Sequence, residues 1–438
     1  METIANQRAH RGLGVVLAAG FLASFIPYSF AFDIPSSSSL FVTPANPFEK
    51  QNRDYNSLPV GGWLLSPTLL VGGVFDDNVF QTQTNRKAAI GARVAPSLIA
   101  ERNTGIHKTT LYGFADAKFY SGESQADMVS ARGGFAHVYE AQRDLVFRFQ
   151  GDYTRQTSVF NGGVNQFDVA PLQNPAGNNP VANPASYNQL TGSASVQKSF
   201  NRSFVALGTS TTYVAYDNAT VRPGSPTTTF PDGVVTSVTG RAGTWVGPWF
   251  YVFAEPSADW RRYDNASLDS RGYRVIGGVG SDQIGLFRGE IFGGYQAQHF
   301  EQSGLGTNSG EIFGARLYYY PTQYWTLSAS VDQTLGVSTI AIGSSSLATP
   351  TKTTTALLQS NYSLSRYWSA NTRFGYTRAE YVGSPNLDNG WLAGVGFSYS
   401  VWRNLGLVID YQFTKVDSDL PLSSYTRNVI TLALSYKY

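Results

Sequence analysis

The chain contains no cysteine, only two methionines and few charged residues. Without cysteine it has no disulfides, no thiolate metal site and no cysteine nucleophile. Charged residues make up 14% of the sequence, whereas soluble proteins typically have about 25%. Lys plus Arg number 32 against 30 Asp plus Glu, so the formal charge is only +2 and no basic surface for nucleic acid is indicated. This composition is unusual for a cytosolic enzyme and excludes a small disulfide-stapled domain.

Long apolar runs are also missing after the first thirty residues, which excludes a bundle of membrane helices. At the N-terminus, Arg8 and Arg11 precede an apolar stretch from Leu13 to Ile26, and small residues follow up to Ala31. This layout predicts a secretory signal peptide over residues 1–31, cleaved after Ala31. An uncleaved membrane anchor is the alternative. Residues 32–60 are rich in Ser, Pro and Asn and predict a periplasmic tail or a plug fragment, and residues 61–438 predict the folded domain.

Side chains alternate between apolar and polar from Trp63 to the last residue. In the final segment Ile430, Leu432 and Leu434 fall on one face, and Thr431 and Ser435 fall on the other. A period of two indicates β-strands, and helical periodicity is absent. The segments run for ten or more residues, longer than the five to six typical of soluble strands and close to the 9–11 needed to cross a membrane.

The two faces of these segments fit a membrane barrel better than a soluble sandwich. The polar faces are rich in Gly, Ser, Thr and Gln, which suits a wet lumen, and aromatic pairs such as Tyr324-Trp325 and Tyr367-Trp368 lie at segment ends. Short turns alternate with longer loops, which predicts a closed antiparallel transmembrane β-barrel of about eighteen strands, with sixteen as the alternative. The short turns are expected on the periplasmic side. Barrels of 16–18 strands usually enclose an aqueous channel.

Charges on the polar faces are the candidate lumen-lining residues, because Arg or Lys facing lipid at midplane costs about 2–4 kcal/mol. The basic candidates are Arg93, Arg132, Arg148, Arg241, Arg274, Arg288, Arg316 and Arg373. The acidic candidates are Asp116, Asp152, Glu255, Asp259, Glu290, Asp332 and Asp410. They either form a path on which Arg binds anionic groups of a solute, or pair across adjacent strands and stiffen the wall.

Three further features of the sequence each have two possible interpretations. Residues 160–186, with four prolines, form either a lumenal gate or a mobile surface loop. Asp76-Asp77-Asn78 signals a turn or a divalent-cation site beside lipopolysaccharide. Tyr112, Phe114, Phe292 and Tyr318 on inward faces could stack on sugars or partly plug the lumen.

No catalytic or metal motif occurs in the sequence. His107 and His137 are expected to be ordinary interface residues, and His299 is expected near the outer rim. We therefore expect no enzyme activity, no cofactor and no metal.

The segment GGWLLSPTLLVGGVFDDNVFQTQTNRK, from Gly61 to Lys87, resembles the start of the outer-membrane β-barrel porin type 2 family. The shared features are a proline within the first strand, Pro67, and the acidic pair Asp76-Asp77 before Asn78. The hairpins centred on LSRYW and VWRNL and the aromatic-ended last strand are also similar. The resemblance implies a passive outer-membrane conduit, and some members of that family are associated with exopolysaccharide export.

These observations predict a protein of the Gram-negative outer membrane, in contact with its lipid and lipopolysaccharide. Three functions stay open: a pore for small hydrophilic solutes, the outer-membrane element of a polysaccharide export route with periplasmic export components, and a structural or adhesive barrel with a plugged lumen. Nucleic acid is not an expected partner.

Overall fold

The computed structural model describes residues 57–157, 186–217, 232–264, 266–284, 286–301, 306–338, 349–420 and 423–438. Within them the chain forms one antiparallel sheet of nineteen strands, and two short 3-10 helices, Ser124–Ala126 and Ala266–Leu268, lie in connections. The strands are β1 Leu58–Val60, β2 Trp63–Asp76, β3 Ala89–Asn103, β4 His107–Tyr120, β5 Met128–Gln142, β6 Leu145–Thr157, β7 Ser186–Ser199, β8 Ser203–Tyr216, β9 Gly233–Trp245, β10 Tyr251–Tyr263, β11 Ser270–Ile284, β12 Phe287–Phe300, β13 Thr307–Thr322, β14 Trp325–Ser338, β15 Thr349–Ser363, β16 Trp368–Tyr381, β17 Leu387–Ser400, β18 Leu405–Ser418 and β19 Tyr425–Lys437.

The sheet closes on itself. Each strand from β2 to β19 pairs with the next along the chain, and β19 returns to pair with β2 from Val429↔Asp76 to Lys437↔Thr68. Strand β1 pairs only with Trp63–Leu65 of β2, beyond the point where β19 ends, so it adds no strand to the wall. The prediction of a closed all-β barrel with eighteen wall strands is confirmed. Closure matters because an unpaired strand edge in hydrocarbon costs several kcal/mol per orphaned backbone group.

The outer surface is apolar and the inner surface polar, as the alternation requires. On β19, Leu432 is 54% exposed, whereas its neighbour Thr431 is fully buried. Near the short turns, aromatic rings on adjacent strands contact each other in pairs: Phe287 stacks on Tyr319 at 4.2 Å and Trp368 lies tilted against Tyr399 at 4.5 Å between centroids. Such rings form the interfacial girdle of a membrane barrel.

Strand ends alternate between short and long connections. Both chain ends of the wall lie on the side of the short turns, because the number of wall strands is even. Most of the predicted gate at residues 160–186 lies outside the described residues, and β7 begins at Ser186. No helix of the described residues is long and apolar enough to cross a membrane.

Pro67 lies inside β2 without breaking the sheet. The β19 ladder ends at Thr68, and the carbonyl of Pro67 accepts only a final bond from the Tyr438 N–H at 3.4 Å. An N–H group at this position would face β19 beyond the end of its ladder. Proline therefore removes no ladder hydrogen bond here, and this is one of the few positions where a strand tolerates it.

Candidate functional site: the charged inner wall

The predicted lining charges all occupy inward positions of their strands, and seven of the fifteen are buried. Arg93, Arg241 and Arg274 are at most 6% exposed, and Glu255 and Glu290 are at most 1% exposed. Inward charges so little exposed to the lumen must be compensated by their neighbours, because an unpaired buried charge is strongly destabilising.

Strands β9 to β14 each contribute one charge of alternating sign to a continuous row. We call this row the charge ladder, and it consists of Arg241, Glu255, Arg274, Glu290, Arg316 and Asp332. Glu255 accepts hydrogen bonds from Arg241 and Arg274, each at 3.0 Å. Glu290 accepts from Arg241 at 2.5 Å and from Arg316 at 3.5 Å. Each buried carboxylate of the ladder is thus held by two guanidinium groups.

Aromatic rings pack beside this ladder. The Arg241 guanidinium lies 3.8 Å from the ring centroid of Phe253, and that of Arg316 lies 5.5 Å from Phe292. Both rings belong to an inward-facing apolar cluster that also contains Tyr251, Ile276, Ile312 and Leu335. A cation over a ring face is attracted by the ring quadrupole, so the ladder and the cluster stabilise each other. This side of the lumen carries a packed layer of side chains.

A second group of contacts crosses β5. Asp152 on β6 accepts hydrogen bonds from the Tyr112 hydroxyl on β4 at 2.6 Å and from Arg132 on β5 at 2.7 Å. The Tyr112 side chain reaches over Gly134 of β5, where a Cβ atom would lie 2.7 Å from its hydroxyl oxygen. Glycine at this inward position therefore permits the contact between strands that are not neighbours.

The same arrangement recurs at β17. Arg373 on β16 binds Asp410 on β18 through two hydrogen bonds of 2.8 and 3.0 Å. It passes over Gly394, where a Cβ would lie 2.6 Å from the guanidinium carbon. Arg93 forms a similar two-bond pair with Asp116 on the adjacent strand, at 2.7 and 3.0 Å.

Three further predicted residues make other contacts. The Arg148 guanidinium contacts Gln197 at 3.4 Å, and that of Arg288 lies 6.0 Å from the Tyr320 ring. Asp259 pairs with Arg261 on its own strand at 2.8 Å. The alternation identified each of these inward positions, but the partners of Arg148 and Arg288 depend on strand stagger, which has no local signal.

The four inward rings predicted as sugar platforms are covered by other side chains. Tyr112, Phe114, Phe292 and Tyr318 are at most 7% exposed. Their faces contact neighbouring rings and guanidinium groups, as with Arg132, which lies 5.7 Å from the Tyr112 ring. Ring faces occupied in this way do not offer a stacking surface to a passing solute.

Asp76, Asp77 and Asn78 form a turn that also holds the barrel closed. Asp76 is fully buried and accepts hydrogen bonds from Arg427 and from the Tyr120 hydroxyl. Asp77 accepts two hydrogen bonds of 2.6 Å from Asn428. The roles of Tyr120 and Arg427 could not be read from the sequence, although both have the inward parity of their strands.

The histidines lie away from the charged wall. His107 stacks on Tyr139 at 4.7 Å on the outer surface, and His137 contacts the Thr109 hydroxyl at 2.8 Å. His299 is exposed and contacts Thr307 at 2.9 Å. Among the described residues, no group of three His, Cys, Asp or Glu side chains is placed to hold a metal ion.

A closed barrel with a lipid-facing apolar surface, aromatic girdles and a polar interior defines the class of outer-membrane β-barrels. Within that class, residues 56–438 match the model of the family described as "Putative beta-barrel porin 2". The chain belongs to this family, as the resemblance of its first strand implied.

Solved structures with a similar fold are distant in sequence. The siderophore receptor PiuA from Acinetobacter baumannii has 10% identity and a TM-score of 0.45, over 87% of this chain and 82% of that chain. The FrpB iron transporter from Neisseria meningitidis (F5-1 variant) has 9% identity and a TM-score of 0.45, over 85% and 82%. A search of curated protein sequences finds no match.

Proposed function

We propose that this protein is a passive outer-membrane pore for small, uncharged hydrophilic solutes. The observation that carries the proposal is the mutual pairing of charges on the inner wall, from the charge ladder to Arg373–Asp410. Clefts lined by one sign of charge concentrate the opposite ion, whereas a compensated wall creates only a weak field. Weak selectivity between cations and anions follows.

The rest of the inner wall supports the same solute class. Ser193 and Ser195 of β7 lie on the inward face opposite Gln150 and Arg148 and are half-buried, and Ser330 of β14 lies on the inward face opposite Arg316 and is exposed. Hydroxyl groups donate and accept hydrogen bonds without carrying charge. They suit solutes that are themselves hydroxylated, such as small saccharides.

An exported polysaccharide is the second cargo that this pore class admits. The covered rings of Tyr112, Phe114, Phe292 and Tyr318 favour small solutes over a polymer that would stack along the wall. Under the proposal, the apolar outer surface contacts outer-membrane lipid and the long loops contact lipopolysaccharide. The proposal contains no catalytic step.

The direct test is reconstitution of the full mature chain in planar bilayers and in liposomes. We expect steady conductance, a reversal potential near zero in a potassium chloride gradient, and liposome swelling in neutral monosaccharides that matches or exceeds swelling in sugar acids of similar size. Strong selectivity for one ion would refute the uncharged-solute proposal. Absence of both conductance and swelling would favour a structural or adhesive barrel.

Gene deletion separates the two cargoes. Loss of a solute pore slows uptake of small neutral sugars and leaves surface polysaccharide unchanged. Loss of surface polysaccharide on deletion, restored by the wild-type gene, would instead assign the pore to export and imply periplasmic export components as partners.

A further inference from the structure

The outer half of β14 leaves the barrel wall. Strand β14 pairs with β13 from its periplasmic end up to Asp332↔Gly314, and the ladder stops there although β13 continues to Thr307. Pairing with β15 continues without a break from Asp332↔Thr355 to Ser338↔Thr349. Residues 333–338 therefore remain in a hairpin with β15 but are no longer held beside β13 by backbone hydrogen bonds.

This segment lies on the inner surface of β12 and β13. Leu335 is buried in the apolar cluster that contains Phe292 and Ile312, both on inward positions of their strands. A Cβ atom at Gly310 of β13 would lie 3.8 Å from the Leu335 side chain. Leu335 thus packs on the lumenal side of the wall, and the β14 segment forms a second layer inside it.

Side-chain amides from the wall replace the missing ladder. Gln296 of β12 donates to the Leu335 carbonyl at 3.0 Å and accepts from the Leu335 N–H at 3.3 Å, as a neighbouring strand would. Asn308 of β13 donates to the carbonyls of Gly336 and Thr351, at 3.0 and 3.3 Å, and so holds both arms of the hairpin. Buried backbone groups need such partners when a strand leaves its sheet.

The other face of the segment points into the lumen. Because side chains alternate along a strand, the face opposite Leu335 carries Thr334 and Gly336, which pair with Thr353 and Thr351 of β15. Thr334 is half-buried. The β15 partners Thr353 and Thr351 are 3% and 0% exposed, so the exposed part of this face is uncharged and carries the Thr334 hydroxyl.

We propose that residues 333–338, held inside the barrel by Gln296 and Asn308, form the constriction that sets the size limit of the pore and selects uncharged, hydroxylated solutes. The inference rests on the proposed pore function and adds to it the place where selection occurs. A hairpin arm fixed by two amide side chains narrows the lumen at this height.

Single cysteines test the placement, because the chain has none of its own. Thr334→Cys is matched by Ser330→Cys, an exposed inward position of β14 that still pairs with Arg316 in the wall. A bulky charged methanethiosulfonate reagent should lower single-channel conductance severalfold in Thr334→Cys and only slightly in Ser330→Cys. Equal effects at the two positions would overturn the constriction while leaving the pore intact.

Release of the segment provides the second test. Gln296→Ala should raise conductance and admit larger sugars in liposome swelling. Gln298→Ala is the matched control, since Gln298 lies on the same inward face of β12 but bonds Ser270 at 2.9 Å. Leu335→Asn places a polar group in the apolar cluster and should release the segment in the same way. Wild-type conductance and sugar uptake in both Gln296→Ala and Leu335→Asn would refute the proposal. If the wild-type protein shows no conductance but Gln296→Ala conducts, the proposed passive pore is refuted and the proposed constriction is supported. Absence of conductance in both proteins would refute both proposals.

Discussion

Asp76 and Arg427 are 351 positions apart in the chain and form a buried ion pair, with the Arg427 Nε 2.8 Å from the Asp76 carboxylate. They lie on β2 and β19, the first and last wall strands, at the outer end of the seam that closes the barrel. The Tyr120 hydroxyl also donates to this carboxylate, at 3.2 Å. The acidic pair of the first loop therefore has a structural role in closure.

Replacing Asp76 by Asn should weaken the closed barrel. The substitution leaves the Arg427 charge without its buried partner, which typically costs about 3–5 kcal/mol. Urea unfolding in lipid vesicles, followed by tryptophan fluorescence, measures this loss. Asp417→Asn is the control, because Asp417 forms an exposed pair with Lys415 that is worth at most about 1 kcal/mol. Equal losses for the two variants would contradict the role of the seam pair.

The cost of an arginine on the outer surface should depend on how deep in the membrane it lies. Leu432 lies near the middle of β19 and faces lipid, so Leu432→Arg should lower the free energy of unfolding by about 2–4 kcal/mol. Leu407 faces outward beside a short turn, so Leu407→Arg should cost only about 0–1 kcal/mol. The same unfolding assay decides, and a larger cost at Leu407 would show that the lipid-facing band is misplaced.

The charge ladder should control ion selectivity. Glu290→Gln removes the carboxylate shared by Arg241 and Arg316, which leaves excess positive charge on the inner wall. Because these side chains are buried, we take a distance of about 8 Å to a permeating ion, at which a unit charge in water is worth about 0.5 kcal/mol. The excess charge attracts chloride and repels potassium by this amount, so the chloride-to-potassium permeability ratio should rise about fivefold. Reversal potentials in a salt gradient measure this ratio. The exposed, outward-facing Glu311→Gln variant should leave it unchanged.

An inward glycine over which a charged side chain passes should contribute to the stability of the barrel. In Gly394→Ala the new methyl group would meet the Arg373 guanidinium and displace it from Asp410. We expect a loss of about 1–3 kcal/mol in the free energy of unfolding. A Cβ atom added at Gly192 would meet no other atom within 4 Å, so Gly192→Ala should be neutral or stabilising by up to about 1 kcal/mol. A similar response of both variants would argue against the crossing contact.

The predicted export signal has its own test. Protein extracted from outer membranes should begin at Phe32, which mass spectrometry of the N-terminal peptide can establish. Ala31→Trp should block cleavage, because signal peptidase requires a small residue before the cut. An intact Met1 in the wild-type outer-membrane protein would identify an uncleaved anchor instead.

Alternation made much of the fold predictable. The pattern around Leu432 and Thr431 is local, since adjacent side chains of a strand point to opposite faces whatever the strand pairs with. The same pattern placed Arg241 and Glu290 on the inner face, and turn signals between the segments led to eighteen strands. None of this required knowledge of which residues meet.

The sequence by itself thus determined the strands, their two faces, the alternation of short and long connections and the inward position of the charges. Only the tertiary structure decided that Arg373 meets Asp410 across β17, that Asp76 meets Arg427 at the seam and that Gln296 holds Leu335 inside the lumen. The reason is physical: the height of a side chain in a barrel depends on the stagger of every strand around the closed sheet. That stagger is a property of the whole ring and leaves no trace in the period of any one segment.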